Sequence, residues 1–129
     1  MAKNNTRDLK TLKKRGVYNI SSGKKVIGAY KRVTSLFSKA LGLMFSFKPS
    51  YGLLFIFSSE TIISLHNFFV FFPIDVIWVS KQGKVVFLKE NFKPFRIIFP
   101  PKKAMYVLEL PKGTIKESNT CMGDTLVFL

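Results

Sequence analysis

The chain has 129 residues, 47% of them hydrophobic and fourteen of them phenylalanine, with a formal net charge of +14. That length suits one domain with a core of its own, and so apolar a composition excludes a disordered chain. Cys121 is the only cysteine, so no disulfide can form within the chain, a usage that fits a reducing compartment.

The charge is unevenly spread. Up to Arg32, cations including Lys3, Arg7, Lys13, Lys14, Arg15, Lys24 and Lys25 face only Asp8. Such a segment raises encounter rates with polyanions, although surface lysine also serves plain solubility. Residues 1–15 have no apolar periodicity and are expected to form a basic, flexible arm ahead of one globular domain over 16–129. The first twenty residues lack a continuous apolar run, so no secretory signal is expected. No stretch reaches the roughly 18 apolar residues of a membrane span. A soluble, cytoplasmic protein is the expectation.

In chain order, a strand is expected near 17–20, turn chemistry at Ser21-Ser22-Gly23-Lys24, and a second strand near 25–33. From residue 34 the period changes. Thr34 or Ser35 can cap a helix, Leu36, Phe37, Ala40 and Leu41 share one face, and Gly42 suits its end, which predicts a helix near 34–41. The remainder is β-branched and aromatic, and predicts strands at 53–57, 67–72, 74–80, 84–92, 105–110 and 125–129. Lys81-Gln82-Gly83-Lys84 should turn 74–80 into a hairpin with 84–90. Gly113 to Asn119 has room for a single helical turn. Apolar residues at both parities of 68–72 call for cover on both faces of that strand. The expected architecture is mainly β: a sandwich or barrel-like domain of about seven or eight short, largely antiparallel strands with one main helix.

Several short stretches recur in a fixed order: Gly42-Leu43-Met44-Phe45, Gly52-Leu53-Leu54-Phe55, His66 leading into Phe68 and Phe69, Pro73-Ile74-Asp75-Val76-Ile77, Leu108-Glu109-Leu110-Pro111 with Gly113, and Gly123-Asp124. Taken together they resemble the uncharacterised family known as domain of unknown function 192, in its archaeal form, over about residues 17–129. The chain departs from that family at Ser46, where a basic residue is common, and at His66–Val70, where bacterial members carry a Trp-Met-x-Asn-Thr run. The resemblance implies a mostly β, sandwich-like domain with one helix, and no particular activity.

Three residues stand out as ligand-binding candidates. Asp75 follows Pro73 inside an apolar strand, where an ionised carboxylate needs hydrogen bonds or a partner; backbone N–H groups near Pro73 could supply them, or Asp75 could form the floor of a pocket. Glu109 alternates with Met105 and Val107, which puts it either on a solvated outer face or towards a pocket. His66 is the only histidine and sits between Leu65 and Asn67, where a hydrogen-bonded structural role competes with a ligand role. One histidine and one cysteine fall short of a structural zinc site, which uses four nitrogen or sulfur ligands, so no metal is expected; a harder divalent ion on His66, Asp75 and Glu109 is the outside alternative. Asp124 reads as turn chemistry, and Cys121 has no base nearby in sequence. Neither a phosphate-binding glycine loop nor a nucleophile elbow is present, and no cofactor is expected.

Three functions fit these features. The leading one is a small soluble binding module with an aromatic-lined pocket or groove, with His66, Asp75 and Glu109 at its rim and a small molecule as ligand. The second binds nucleic acid or another anionic surface through Lys13, Lys14, Arg15, Lys24 and Lys25. In that reading the lysines at 81, 84, 89, 93, 102 and 103 assist, and Phe87, Phe92, Phe95 and Phe99 either stack on bases or pack in the core. The third is a small hydrolase using Asp75 and Glu109 as paired carboxylates. Nothing in the sequence sets an oligomeric state.

Overall fold

The structure is a computed structural model that describes residues 14–34, 51–66 (with only the backbone of His66) and 72–129. The expected helix at 34–41, the stretch Gly42–Phe45, most of the expected strand 67–72 and nearly all of the basic arm lie outside the described residues.

The strands are β1 (Val17–Asn19), β2 (Lys24–Ile27), β3 (Tyr30–Val33), β4 (Gly52–Thr61), β5 (Leu65–His66), β6 (Ile74–Val79), β7 (Val85–Phe92), β8 (Ile97–Ile98), β9 (Ala104–Pro111) and β10 (Leu126–Phe128). One helical turn, α1 (Thr114–Glu117), lies between β9 and β10. A five-stranded sheet runs in the order β3-β4-β9-β6-β7, a three-stranded sheet in the order β10-β1-β2, and β5 pairs with β8. The domain is mainly β and sandwich-like, as expected.

The five-stranded sheet carries core on both faces. Leu53, Phe55, Val76, Trp78 and Val107 pack into one cluster, and Leu54, Ile77, Val79, Leu108 and Leu110 into the other. Alternation along β4, β6 and β9 produces this split, since successive side chains leave opposite faces of a strand. The second cluster gains Val17, Val26 and Leu126 from the small sheet and Ile115 from α1. Every residue of β6 is buried, which explains its unbroken apolar run around Asp75.

One expected strand is corrected. Residues 25–33 do not form a single strand: the chain leaves the small sheet after Ile27 and enters the large one at Tyr30. Gly28 and Ala29 at the crossing are exposed and bring no large side chain to hold one ladder together. The carbonyl of Ala29 accepts from the Gly52 amide at 2.9 Å, which starts β3 alongside β4. That pairing is parallel, Tyr30 with Gly52 through Val33 with Phe55, whereas the other strand pairs are antiparallel.

The β6–β7 hairpin forms as its sequence predicts. Ser80 and Gly83 close the turn through Ser80 N–H to the Lys84 carbonyl and Gly83 N–H to the Ser80 carbonyl, at 2.8 and 2.9 Å. Gly83 takes a φ of +85°, a left-handed conformation that glycine enters without strain. The expected helical turn after Gly113 is α1. Among the described residues, no helix is long and apolar enough to cross a membrane.

Candidate functional site

Asp75 is buried and fully engaged. Its Oδ1 accepts from the Asn91 amide at 3.0 Å, and its Oδ2 accepts from the amides of Gly113 and Ile115 at 3.1 and 2.9 Å. The first of these donors exists because of a bulge. Ile74 pairs with Phe92 and Val76 with Lys89, so Asp75 alone stands opposite both Glu90 and Asn91. Asn91 adopts a φ of +52°, and its displaced N–H turns to the carboxylate instead of the ladder. The other two donors open α1. Asp75 therefore ties β6 to the bulge of β7 and to the start of the helix. Its donors come from those two elements, not from a ladder broken at Pro73.

Glu109 lies one register step away, paired across from Val76, and on the opposite face. It shares parity with Val107, whereas Asp75 shares parity with Ile77 and Val79. The residue is 0% exposed, so the solvated outer face considered for it is not where it sits. Neither carboxylate oxygen has a hydrogen-bond partner among the described residues. Burial pushes its carboxyl up to about 8, so near neutral pH the uncharged acid predominates.

His66 enters through its backbone, which pairs with Ile97 in the β5–β8 ladder. The structure thus separates the two carboxylates by the thickness of a sheet, and they do not face a common space. Chemistry that needs both on one substrate has no geometry here. Among the described residues, no group of three or more histidines, cysteines, aspartates or glutamates comes together as a metal site.

A different place gathers polar groups. Beyond the β7 bulge lies an open groove of about 380 Å³, lined by Lys89, Glu90, Asn91, Phe92, Lys93, Arg96, Ile97 and Ile98. Three cations there oppose one acid. Asp75 buttresses this groove through the Asn91 amide, and His66 adjoins it through Ile97. The Oδ1 of Asn91 is buried without a partner among the described residues.

The chain leaving the groove, 93–103, contains Lys93, Arg96, Lys102 and Lys103, all exposed, and no acidic residue occurs between Glu90 and Glu109. Of the four phenylalanines considered for stacking, Phe92 is core and Phe87 packs on Trp78 at a ring separation of 5.3 Å. Phe95 and Phe99 are exposed. Residue type alone could not make that division. The bulge was equally hidden, since its origin is a register mismatch between two strands. The acid-free run from Asn91 to Leu108 was the available signal for the groove.

The basic residues of the first strands are placed elsewhere. Lys24 and Lys25 lie on β2 in the small sheet, and Arg15 stands over the Tyr30 ring at 5.3 Å and donates to the Tyr30 carbonyl at 3.4 Å. Lys25 stands 5.8 Å from the centre of the Tyr18 ring. Lys14 is exposed, and its carbonyl accepts from the Tyr18 hydroxyl at 3.0 Å. Lys13 is outside the described residues.

Residues 20–128 match the model of DUF192, a family described as uncharacterized ACR. A UPF0127 protein of Pyrococcus horikoshii is 40% identical over 101 residues, covering 77% of this chain and 86% of that protein. A UPF0127 protein of Pyrococcus furiosus is 36% identical over 110 residues, 84% of this chain and 93% of its own length. A crystal structure from Sinorhizobium meliloti, described as a proposed transcription regulator, superposes with a TM-score of 0.70 at 26% identity, covering 77% of this chain and 80% of that one. A protein of unknown function from Novosphingobium aromaticivorans shares the fold with a TM-score of 0.69 at 19% identity, covering 77% and 74% of the two chains.

Proposed function

This chain belongs to the DUF192 family, and we propose that it is a non-catalytic binding module whose groove at the β7 bulge holds an anionic partner. The observation that carries this reading is the lining of the groove: Lys89, Lys93 and Arg96 against Glu90 alone, on a backbone fixed from behind by Asp75. Fixed cations around a concave surface attract and orient phosphate or carboxylate groups, and an arginine among them favours planar, two-point contact. The opposed carboxylates speak for binding over hydrolysis. The description of the Sinorhizobium meliloti neighbour is compatible with an anionic partner.

A chain of +14 will be retained on any polyanion, so the test must separate a site from bulk charge. Two variants with the same change in charge do this: Lys93→Glu with Arg96→Glu in the groove, and Lys24→Glu with Lys25→Glu on β2. The groove variant should elute from immobilised heparin at markedly lower salt than the β2 variant. Equal losses in the two would mean diffuse charge and would remove the site.

A further inference from the structure

We infer that the anionic partner is a lipid bilayer surface, engaged by the apolar edge that flanks the groove while the cations contact the headgroups. The inference rests on the groove reading above and names its partner. Among the described residues, six large apolar side chains are exposed, and four of them gather at this edge: Phe99 at 75%, Phe95 at 61%, Ile97 at 51% and Ile62 at 47%. Two separate segments contribute, and the β5–β8 ladder joins them, with Leu65 opposite Ile98 and His66 opposite Ile97. Ile62 comes just before β5, Ile97 belongs to β8, and Phe95 and Phe99 lie on either side of that strand.

The pattern at β8 is informative. Ile97 and Phe99 are exposed, while Ile98 between them packs against the core cluster that contains Leu65 and Ile63, and Phe95 is exposed on the turn that leads into the strand. The edge is thereby anchored from behind and displays its apolar side chains outward. Exposed apolar groups collected in one place mark a contact surface, whereas scattered ones need no explanation. Lys93, Arg96, Lys102 and Lys103 lie in the same stretch of chain.

Charge complementarity makes the partner anionic, and the apolar residues decide its class. A single-stranded nucleic acid would use the phenylalanine rings as stacking platforms but would gain little from Ile62 and Ile97, since stacking needs a π-face. A bilayer interface uses all four, because transfer of any apolar surface from water is favourable, and cations next to the inserted residues add attraction to acidic headgroups. Aromatic and aliphatic side chains beside a cluster of cations match that interface.

The test uses the full chain and vesicles of phosphatidylcholine with and without phosphatidylglycerol. Sedimentation with the anionic vesicles, and little with the neutral ones, is expected. Lys102→Ala should weaken binding by about fivefold, the effect of one cation near an acidic surface. Phe95→Ser with Phe99→Ser should reduce it by roughly tenfold or more, from lost apolar transfer. Heparin elution of that double variant should stay unchanged, so its vesicle defect belongs to the apolar edge and not to the groove.

Phe99→Trp supplies a reading that does not depend on loss: its emission should shift to the blue on adding anionic vesicles, since the native Trp78 is already buried. A tryptophan at position 99 that keeps its emission, or a serine variant that sediments like the wild type, would overturn the bilayer and leave the groove reading standing. Absence of vesicle binding, together with a single-stranded oligonucleotide complex weakened by the same serine variant, would assign the edge to base stacking instead. Failure to bind vesicles, oligonucleotide and heparin alike would end both readings.

Discussion

At the scale of single residues, the two buried acids of the central strands behave in opposite ways, and the difference is the supply of donors. Asp75 receives three backbone N–H groups, from Asn91, Gly113 and Ile115, so both of its side-chain oxygens are satisfied within the fold. Asp75→Ala leaves those donors without an acceptor and should lower stability by about 3 kcal/mol or more, read as a shift in the urea midpoint. Asp75→Asn, which keeps one acceptor oxygen, should fall between the two; an alanine variant with an unchanged midpoint would mean that the donors are satisfied without it. Glu109 has no such donors among the described residues, and burial raises its carboxyl from 4.5 to about 8. The native state therefore binds a proton that the unfolded chain releases, and stability falls as pH rises through that interval. The acid's full stability is present below about 4.5, and the loss levels off above about 8. At roughly 1.4 kcal/mol per pKa unit the change is on the order of 5 kcal/mol. Glu109→Gln should remove the slope and be the more stable protein at pH 8.5, with the two curves converging near pH 5. Urea midpoints collected across that range check it, and a wild-type curve without slope would show that the carboxylate finds a cation or water when ionised.

At the scale of elements, local patterning revealed what was local. The Lys81–Lys84 turn, the strands around it, the single turn after Gly113 and the last strand all follow from spacing and turn chemistry that neighbouring residues satisfy among themselves. The break inside 25–33 was not legible because nothing near Gly28 forbids a continuous strand; the switch of sheets is made by a pairing with Gly52, far along the chain. Asp75 could be recognised as an acid needing donors, yet their source could not, since one comes from a bulge and two from a helix start that meets β6 only in the folded state. Alternation correctly grouped Glu109 with Val107, but could not say whether their face was wet. For the candidate site the same limit holds. Lys89, Lys93 and Arg96 are visible as charges, and only the register slip at Glu90 and Asn91 shapes a groove among them. Phe92 and Phe99 are the same residue type in similar surroundings, and their fates divide at the end of β7, where one closes the core and the other follows the chain outward.

At the scale of the molecule, the five-stranded sheet is the shared wall of two cores, so neither can be lost alone. One face of β6 contributes Val76 and Trp78 to the first cluster and the other contributes Ile77 and Val79 to the second. Removing the small sheet and α1 would expose Leu54, Leu108 and Leu110 on the strands that also carry Leu53 and Val107, which couples the layers through β4 and β9. Unfolding of the described domain should then be a single cooperative transition. Trp78 makes this testable because it is the only tryptophan, is 0% exposed, and donates from Nε1 to the Ile63 carbonyl at 2.8 Å within the first cluster. Its emission should move to the red on denaturation, reporting that cluster alone. Circular dichroism in the far ultraviolet reports both sheets. The two signals should give one urea midpoint and one slope, and Ile115→Ala, which trims the second cluster, should move the tryptophan transition as far as the dichroism transition. The deletion should lower stability by about 2–5 kcal/mol, the usual range for truncating a buried isoleucine. Tryptophan emission that ignored Ile115→Ala while the dichroism midpoint fell would mean that the layers unfold separately, and that the sheet does not transmit the loss from one face to the other.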